Sequence, residues 1–445
     1  MQKEKIQLSD EFDYGRLMRF TYPTILMLVF TSIYYIVDGL FISNFVGKTA
    51  FAAVNLIMPF LMLPGAIVFM IGSGGTALVA KTMGEGNGER AKRLFTMMLW
   101  LTIIIGFVLT VTNYVMLEPV AKTFGAEGKM LEYCLRYGRI IVLGSTTFLV
   151  QFFFQPFFVT AEKPKFGMWV TVIAGVTNMI GDAVLVGLLK WGVEGAAIAS
   201  VLSQTVGGLI PIIYFAPKNS SRLRLTRPEW NIRAIVKTCT NGSSEMVTNI
   251  SLSVVNILYN VQLMGMVGED GVAAYGVIMY SATIFIYIFI GYSVGLTPIV
   301  GYHYGANNLE ELHNLLKRSM VLMAAFGMVL MVISEAFARQ LAQIFVGFDK
   351  MLLALTTRAM RIYCISFLIA PLNILASAYF TGLNNGLVSA VISFSRTFVM
   401  QIAAILILPM ILGLDGIWMA TVVAEGVALI VSSFCFMANQ KRYGY

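Results

Sequence analysis

The sequence predicts an all-α integral membrane protein, with twelve transmembrane helices in two six-helix lobes related by a pseudo-two-fold axis. Three observations carry that expectation. Of 445 residues, 58% are hydrophobic and only 12% charged, with a mean hydropathy of +0.79, whereas a soluble chain carries about 25% charged residues. The apolar residues form runs that are apolar on every face, as at 24–37, 97–112, 140–160 and 321–334, and roughly twenty such residues make one bilayer crossing. The chain also repeats itself at a constant offset of 221 residues. A spanning β-barrel would instead show alternating segments of about ten residues with a polar inner face.

The elements follow from the breaks between runs, where Gly, Pro, Asn and charges cluster. The opening MQKEKIQLSDEFDYGR is too long and too acidic for a signal-peptide n-region, and no A-x-A cleavage site follows, so the first helix is expected to be retained. Spans are then expected at 17–43, 50–80, 92–116, 132–158, 165–187 and 191–215, with MGEGNGER turning the second into the third. The basic stretch APKNSSRLRLTRPEWNI at 216–232 separates them from spans at 234–264, 271–300, 314–338, 351–379, 387–411 and 414–437. The organisation is thus an N-terminal segment 1–16, an N-lobe 17–215, a linker 216–233, a C-lobe 234–437 and a tail 438–445.

Lys and Arg orient the set. The loops on the side of the N-terminus hold 20 of them, the opposite side with its helix ends holds 10, and Arg396 is left inside a span. Positive residues mark the cytoplasm, so both termini are expected on the cytoplasmic side. The net charge of +8 then reports topology, with some attraction to anionic lipid. No basic soluble domain exists to bind nucleic acid. Cys134, Cys239, Cys364 and Cys435 lack any CxxC spacing and read as small apolar helix residues.

The repeat needs no gaps. VGKTAFAAVNLIM at 46–58 pairs with VGEDGVAAYGVIM at 267–279, and Gly74, Thr76, Val79, Gly84 and Glu89 meet Gly295, Thr297, Val300, Gly305 and Glu310. Thr160 meets Thr381, and GVEG at 192–195 meets GLDG at 413–416. Six spans per half place both halves in the same membrane orientation, which requires an axis along the membrane normal.

With these pieces in view, the chain resembles the multidrug and toxin extrusion (MATE) transporters, in their bacterial MepA/DinF-like branch. The resemblance rests on VDGLFISNFVGKTAFAAVNLIMP, GSGGTALVAKTMGEGNGERAKR, WGVEGAAIASVLSQ and YGVIMYSATIFIYIFIGYSVGLTPIVGYHYGANN in that order. It implies twelve helices in two lobes and export driven by a cation gradient.

Charges inside the spans are the candidate functional residues, because an ionised side chain at mid-bilayer costs about 2.5–3.5 kcal/mol on insertion scales. Asp38 and Asp182 each lie about five residues before the outer ends of spans 1 and 5, hence at one depth. Asn178 sits one turn from Asp182 on the same face, and Ser200 on span 6 has a compatible depth. Two carboxylates, an amide oxygen and a hydroxyl suit either a shared proton or Na⁺, a hard cation that takes oxygen ligands. The resemblance assigns coupling-ion binding to the helix-1 aspartate and the Asn-x-x-x-Asp pair, here Asp38, Asn178 and Asp182, with Ser200 as the helix-6 hydroxyl. The bland reading is that Asp38 bonds backbone at a local kink beside Gly39.

In the second half, Glu245, Arg396 and Glu425 all fall near the midplane, so Arg396 is expected to pair with one glutamate. Either acid also suits attraction of a cationic substrate. Glu425 aligns with Gln204 and Asp38 with Tyr259, so the acid arrangement does not repeat. Asn249, Ser253, Asn256 and Asn260 on span 7, with Gln151 and Gln155 on span 4, either line the cleft or hydrogen-bond between helices.

An enzyme is disfavoured: His303 and His313 flank one loop with no HExxH pattern, and MGEGNGER lacks the GKS/GKT of a P-loop. No cofactor is expected. The functional expectation is a monomeric, cation-coupled (H⁺ or Na⁺) antiporter among membrane lipids, exporting small amphipathic, cationic organic compounds. The alternative is a lipid-linked precursor flippase on a related two-lobe fold, which needs a strongly basic cavity where only Arg396 is available.

Overall fold

Asp13 starts the first helix: its carboxylate accepts the Arg16 amide at 2.6 Å and satisfies one of the orphan donors of the first turn. The computed structural model describes residues 6–347 and 349–444, and among the described residues every regular element is helical.

Twelve helical spans follow in order. They are α1 (Tyr14–Val46), α2 (Lys48–Gly84), α3 (Gly88–Thr123), α4 (Gly128–Leu143 continued by Ser145–Thr160), α5 (Pro164–Leu188) and α6 (Gly192–Phe215). The second half holds α7 (Ile232–Met266), α8 (Glu269–Gly305), α9 (Leu309–Val346), α10 (Lys350–Gly382), α11 (Gly386–Leu412) and α12 (Leu414–Tyr443). Eleven contain their expected spans and overrun them by up to eight residues at an end, and α6 begins one residue later than expected. At 37 residues α2 is about 55 Å long, so it projects well beyond a hydrocarbon core of about 30 Å.

Ten of these helices are long and apolar enough to cross a membrane by themselves, and the two parts of α4 form an eleventh, bent by 57°. The bend falls at Gly144 (φ −82°, ψ −1°). The remaining helix, α7, is long enough at 35 residues but too polar to qualify, because Thr238, Asn241, Ser244 and Ser251 are buried along it. Those side chains face other helices, where polar groups act as interhelical contacts. Large apolar side chains such as Phe107, Val115, Ile344, Met410, Ile430 and Phe434 are exposed, forming the surface that lipid would cover.

The repeat seen in the sequence is a repeat in space. A Cβ placed on Gly84 would lie 2.0 Å from the Tyr302 carbonyl oxygen, and one on Gly305 would lie 2.1 Å from that of Lys81. Both the glycines and the carbonyls are 221 residues apart, so α2 and α8 cross backbone to backbone on the pseudo-two-fold axis. The neighbouring crossings obey the same operation. Thr21 of α1 packs on Gly295 of α8, and Gly242 of α7 packs on Gly74 of α2. These crossings lie towards the end of the bundle that carries the N-terminal segment and hold the lobes together there.

Residues 6–13 reinforce that end. Leu8 and Phe12 are completely buried, and their backbone amides donate to buried carboxylates from different lobes. Leu8 N–H reaches Glu162 Oε1 at 3.0 Å, and Phe12 N–H reaches Glu311 Oε1 at 2.8 Å. Arg222 of the inter-lobe linker pairs with Glu162 (3.0 Å) and donates to Gln7 Oε1 (2.6 Å). Arg318 donates to the Phe12 carbonyl, and His303 Nε2 lies 3.2 Å from the Asp10 carbonyl. The segment therefore straps the two lobes together.

Candidate functional site

Asp38, Asn178, Asp182 and Ser200 come from three helices and meet in the first lobe. The Asn178 amide donates to Ser200 Oγ at 3.4 Å, and the Ser200 hydroxyl donates to Asp38 Oδ1 at 3.5 Å. Asp182, Asn178 and Ser200 all address the Asp38 carboxyl. Asp38, Asn178 and Asp182 are each at most 5% exposed. Both Asp182 oxygens and Asn178 Oδ1 are buried without a protein donor among the described residues. Two buried carboxylates side by side without enough donors form an arrangement that a proton or a cation between them would satisfy.

Local helix geometry positions the pair. Asp182 opens a π-helical turn (Asp182–Leu188), and α1 ends in another (Ile42–Val46) just past Asp38. Widened turns leave i→i−4 carbonyls unpaired and often mark functional positions. Neither turn contains proline, so no residue type announces them. Tyr137, on the first part of α4 and 2% exposed, stands within electrostatic reach of both Asp38 and Asp182. It was not singled out from the sequence, where nothing distinguishes it from other span tyrosines.

Gln151 and Gln155 are buried on the second part of α4, and their amide atoms lack protein partners among the described residues. Gln151 lies against Gly207 of α6, one turn beyond Gln204, whose Oε1 is likewise unpartnered. The α6 face Ser200–Gln204–Gly207 thus leads from the carboxylate pair towards these glutamines.

The second lobe carries a neutral counterpart. Tyr259, at the position equivalent to Asp38, shares a 2.8 Å hydrogen bond with Thr421, the equivalent of Ser200. Gln401 donates to both oxygens, at 3.0 and 2.8 Å. Nearby, Arg396 Nε donates to Glu425 Oε1 at 2.7 Å, and Asn373 donates to Glu425 Oε2 at 2.8 Å while accepting from Ser432 at 2.9 Å. Arg396 sits in a π-helical turn (Ser395–Met400) of α11, the repeat partner of α5. Of the two candidate glutamates the structure gives it Glu425. Glu245 has no ion pair among the described residues and feels Arg396 only at longer range. Asn256 accepts from the Tyr275 hydroxyl at 2.6 Å.

Comparison with known proteins follows this architecture. The MatE family model matches residues 23–184 and again 245–407, one match per half of the repeat. The chain belongs to the MatE family. Over 96% of its length this MatE chain is 22% identical to the multidrug export protein MepA of Staphylococcus haemolyticus, covering 94% of that protein. It is also 22% identical to the probable multidrug resistance protein YoeA of Bacillus subtilis, over 93% of this chain and 91% of that one. Its fold superposes on an outward-facing conformation of a multidrug resistance MATE family transporter with a TM-score of 0.92 at 24% identity, covering 100% of this chain and 99% of the other. A MATE in the bent conformation matches with a TM-score of 0.90 at 23% identity over the full length of both. The protein is therefore a multi-pass membrane protein of a family whose bacterial relatives are named as multidrug exporters.

Proposed function

We propose that this MatE protein is a cation-coupled antiporter that exports amphipathic, cationic organic compounds from the bacterial cytoplasm by alternating access. The observation that carries the reading is the buried Asp38–Asp182 pair, joined to Asn178 and Ser200 and short of donors. H⁺ or Na⁺ arriving there would change the charge and packing where α1, α5 and α6 meet. An ion that binds one arrangement of those helices better than another shifts the balance between lobe arrangements. Glu245, a carboxylate without an ion pair among the described residues, suits a cationic cargo. The flippase alternative loses support, because Arg396, the one base at depth, is already engaged by Glu425. The charge distribution supports a cytoplasmic position for both termini, and the proposed transporter works as a monomer without a cofactor.

The test is efflux of a fluorescent organic cation from proteoliposomes, with pH and Na⁺ gradients imposed separately. Export driven by one gradient and lost in Asp38→Asn supports the coupling site. Full gradient-driven exchange in Asp38→Asn refutes it.

A further inference from the structure

A cavity of about 380 Å³ opens where the lobes meet, at the same end of the bundle as the N-terminal strap, and is lined by Lys81, Lys237 and Arg442 together with residues 384–387 and Tyr304. Nothing in the transport cycle described above uses it. No carboxylate lines it among the described residues. Lys237 donates to the Asn384 carbonyl at 2.6 Å, and Lys81 and Arg442 are near enough to repel it. Arg442 lies over the Tyr443 ring and Lys81 over the Tyr304 ring, each at 5.3 Å. Glu85, the exposed C-cap residue of α2, lies 3.5 Å from Lys81.

Helix α11 begins at Gly386, and its first turn lines the wall. The positive end of a helix dipole favours anions. Asn385 caps that turn by accepting from Val388 N–H, and Asn241 takes the Gly386 N–H. Three cations and a helix N-terminus therefore converge on one opening.

We propose that this cavity binds a phosphate-bearing anion, either the headgroup of an anionic phospholipid or a soluble phosphate. Because Lys81 belongs to the first lobe and Lys237, Arg442 and the α11 terminus belong to the second, the anion neutralises repulsion across the lobe boundary. It thereby favours the arrangement in which the lobes touch at this end. Positively charged residues on a cytoplasmic face commonly do no more than fix topology. Here they gather in one cavity across two lobes, which topology does not require.

The test uses the full-length protein in neutral detergent. Its unfolding temperature is measured while titrating phosphatidylglycerol, phosphatidylcholine or inorganic phosphate at constant ionic strength. Wild type is compared with Lys237→Gln/Arg442→Gln and with Leu387→Glu, which places a negative charge at an exposed position on the rim. Wild type is expected to be stabilised by phosphatidylglycerol over phosphatidylcholine, with half-saturation shifting about fivefold for each cation removed. A shift with inorganic phosphate as well identifies a soluble anion as occupant, and a shift with the lipid alone identifies a headgroup; both support the site. Leu387→Glu covers the case in which the double variant does not fold. No preference for phosphatidylglycerol and no phosphate effect, or the same response in wild type and the charge variants, overturns the proposal.

Discussion

Asp38 and Tyr259 occupy the same place in the two halves of the chain, each hydrogen-bonded to a hydroxyl at the equivalent position of its own lobe, Ser200 and Thr421. The duplicated architecture thus holds an acid in one copy and a phenol in the other. Charge can change at this position in the first lobe alone. The lobes share a backbone plan and differ in chemistry.

Asp38→Asn and Asp182→Asn are expected to lower gradient-driven efflux by roughly tenfold or more, the equivalent of about 1.4 kcal/mol, while leaving the unfolding temperature near wild type. Proteoliposome efflux and thermal unfolding in detergent check the two halves of this statement. An amide keeps the size of the carboxyl and removes its charge, so a folded but uncoupled protein is the specific outcome.

Tyr259→Phe removes the hydroxyl that bonds Thr421 and Gln401. It is expected to cost about 1–3 kcal/mol of stability, because a buried amide loses a partner. Efflux at a temperature where the variant is fully folded should retain the wild-type ion dependence. Loss of coupling in this variant would show that the second lobe also takes part in ion binding.

The Arg396–Glu425 pair is the clearest stability test. Glu425→Gln leaves a guanidinium with little compensation inside the membrane, and removing one partner of a buried pair typically costs about 3–5 kcal/mol. Arg396→Met/Glu425→Leu replaces both charges by apolar groups and is expected to recover most of that loss. Thermal unfolding of Arg396→Met, Glu425→Leu and the double variant supplies the cycle, with Glu425→Gln as the isosteric control.

Gly84→Ala pushes a methyl group into the Tyr302 carbonyl, a backbone atom that cannot step aside. A cost of about 1–3 kcal/mol or more is expected, with impaired transport. Gly88→Ala, four residues further on at the start of α3 with open space around it, is the control and should be neutral. Equal behaviour of the two variants would show that the α2–α8 crossing is not the tight contact described.

Glu162→Ala removes the acceptor of the Leu8 amide and the partner of Arg222. Faster proteolytic release of the N-terminal segment is expected, with a loss of about 1–3 kcal/mol in stability. Unchanged digestion would mean that the buried Leu8 and Phe12 side chains hold the segment without this carboxylate.

Much of this was legible in the sequence, for definite physical reasons. Lipid-facing helices must be apolar over a set length, so all twelve spans were found within a few residues. Duplication preserves spacing, so the repeat marked Gly84 and Gly305 as equivalent positions, while their close approach in space had no sequence signal. Asp38 and Asp182 could be paired across 144 residues because depth in a membrane is readable from distance to a span end. What stayed hidden depends on rotation about helix axes and on local backbone geometry. Arg396 had two glutamates at the right depth, and only the rotational setting of α11 and α12 selects Glu425. The bend at Gly144 and the π-helical turns have no proline to announce them. The strap at residues 6–13 reads as a polar tail because its binding groups are backbone amides, which carry no sequence signature, while Glu162 and Glu311 look like ordinary loop-side acids.

The position of the Gly84–Gly305 crossing sets the mechanical scale of the molecule. It lies at one extremity of α2, with the rest of the helix extending to Lys48. Measured at 1.5 Å per residue, the far end is about 54 Å away, so a rotation of about 10° about this point carries it through roughly 9 Å. If the lobes rock about this point, as the proposed alternating access requires, two hydrogen-sized side chains let a small angular change, with hardly any sliding where the backbones touch, become an aperture as wide as an organic ring system at the opposite face.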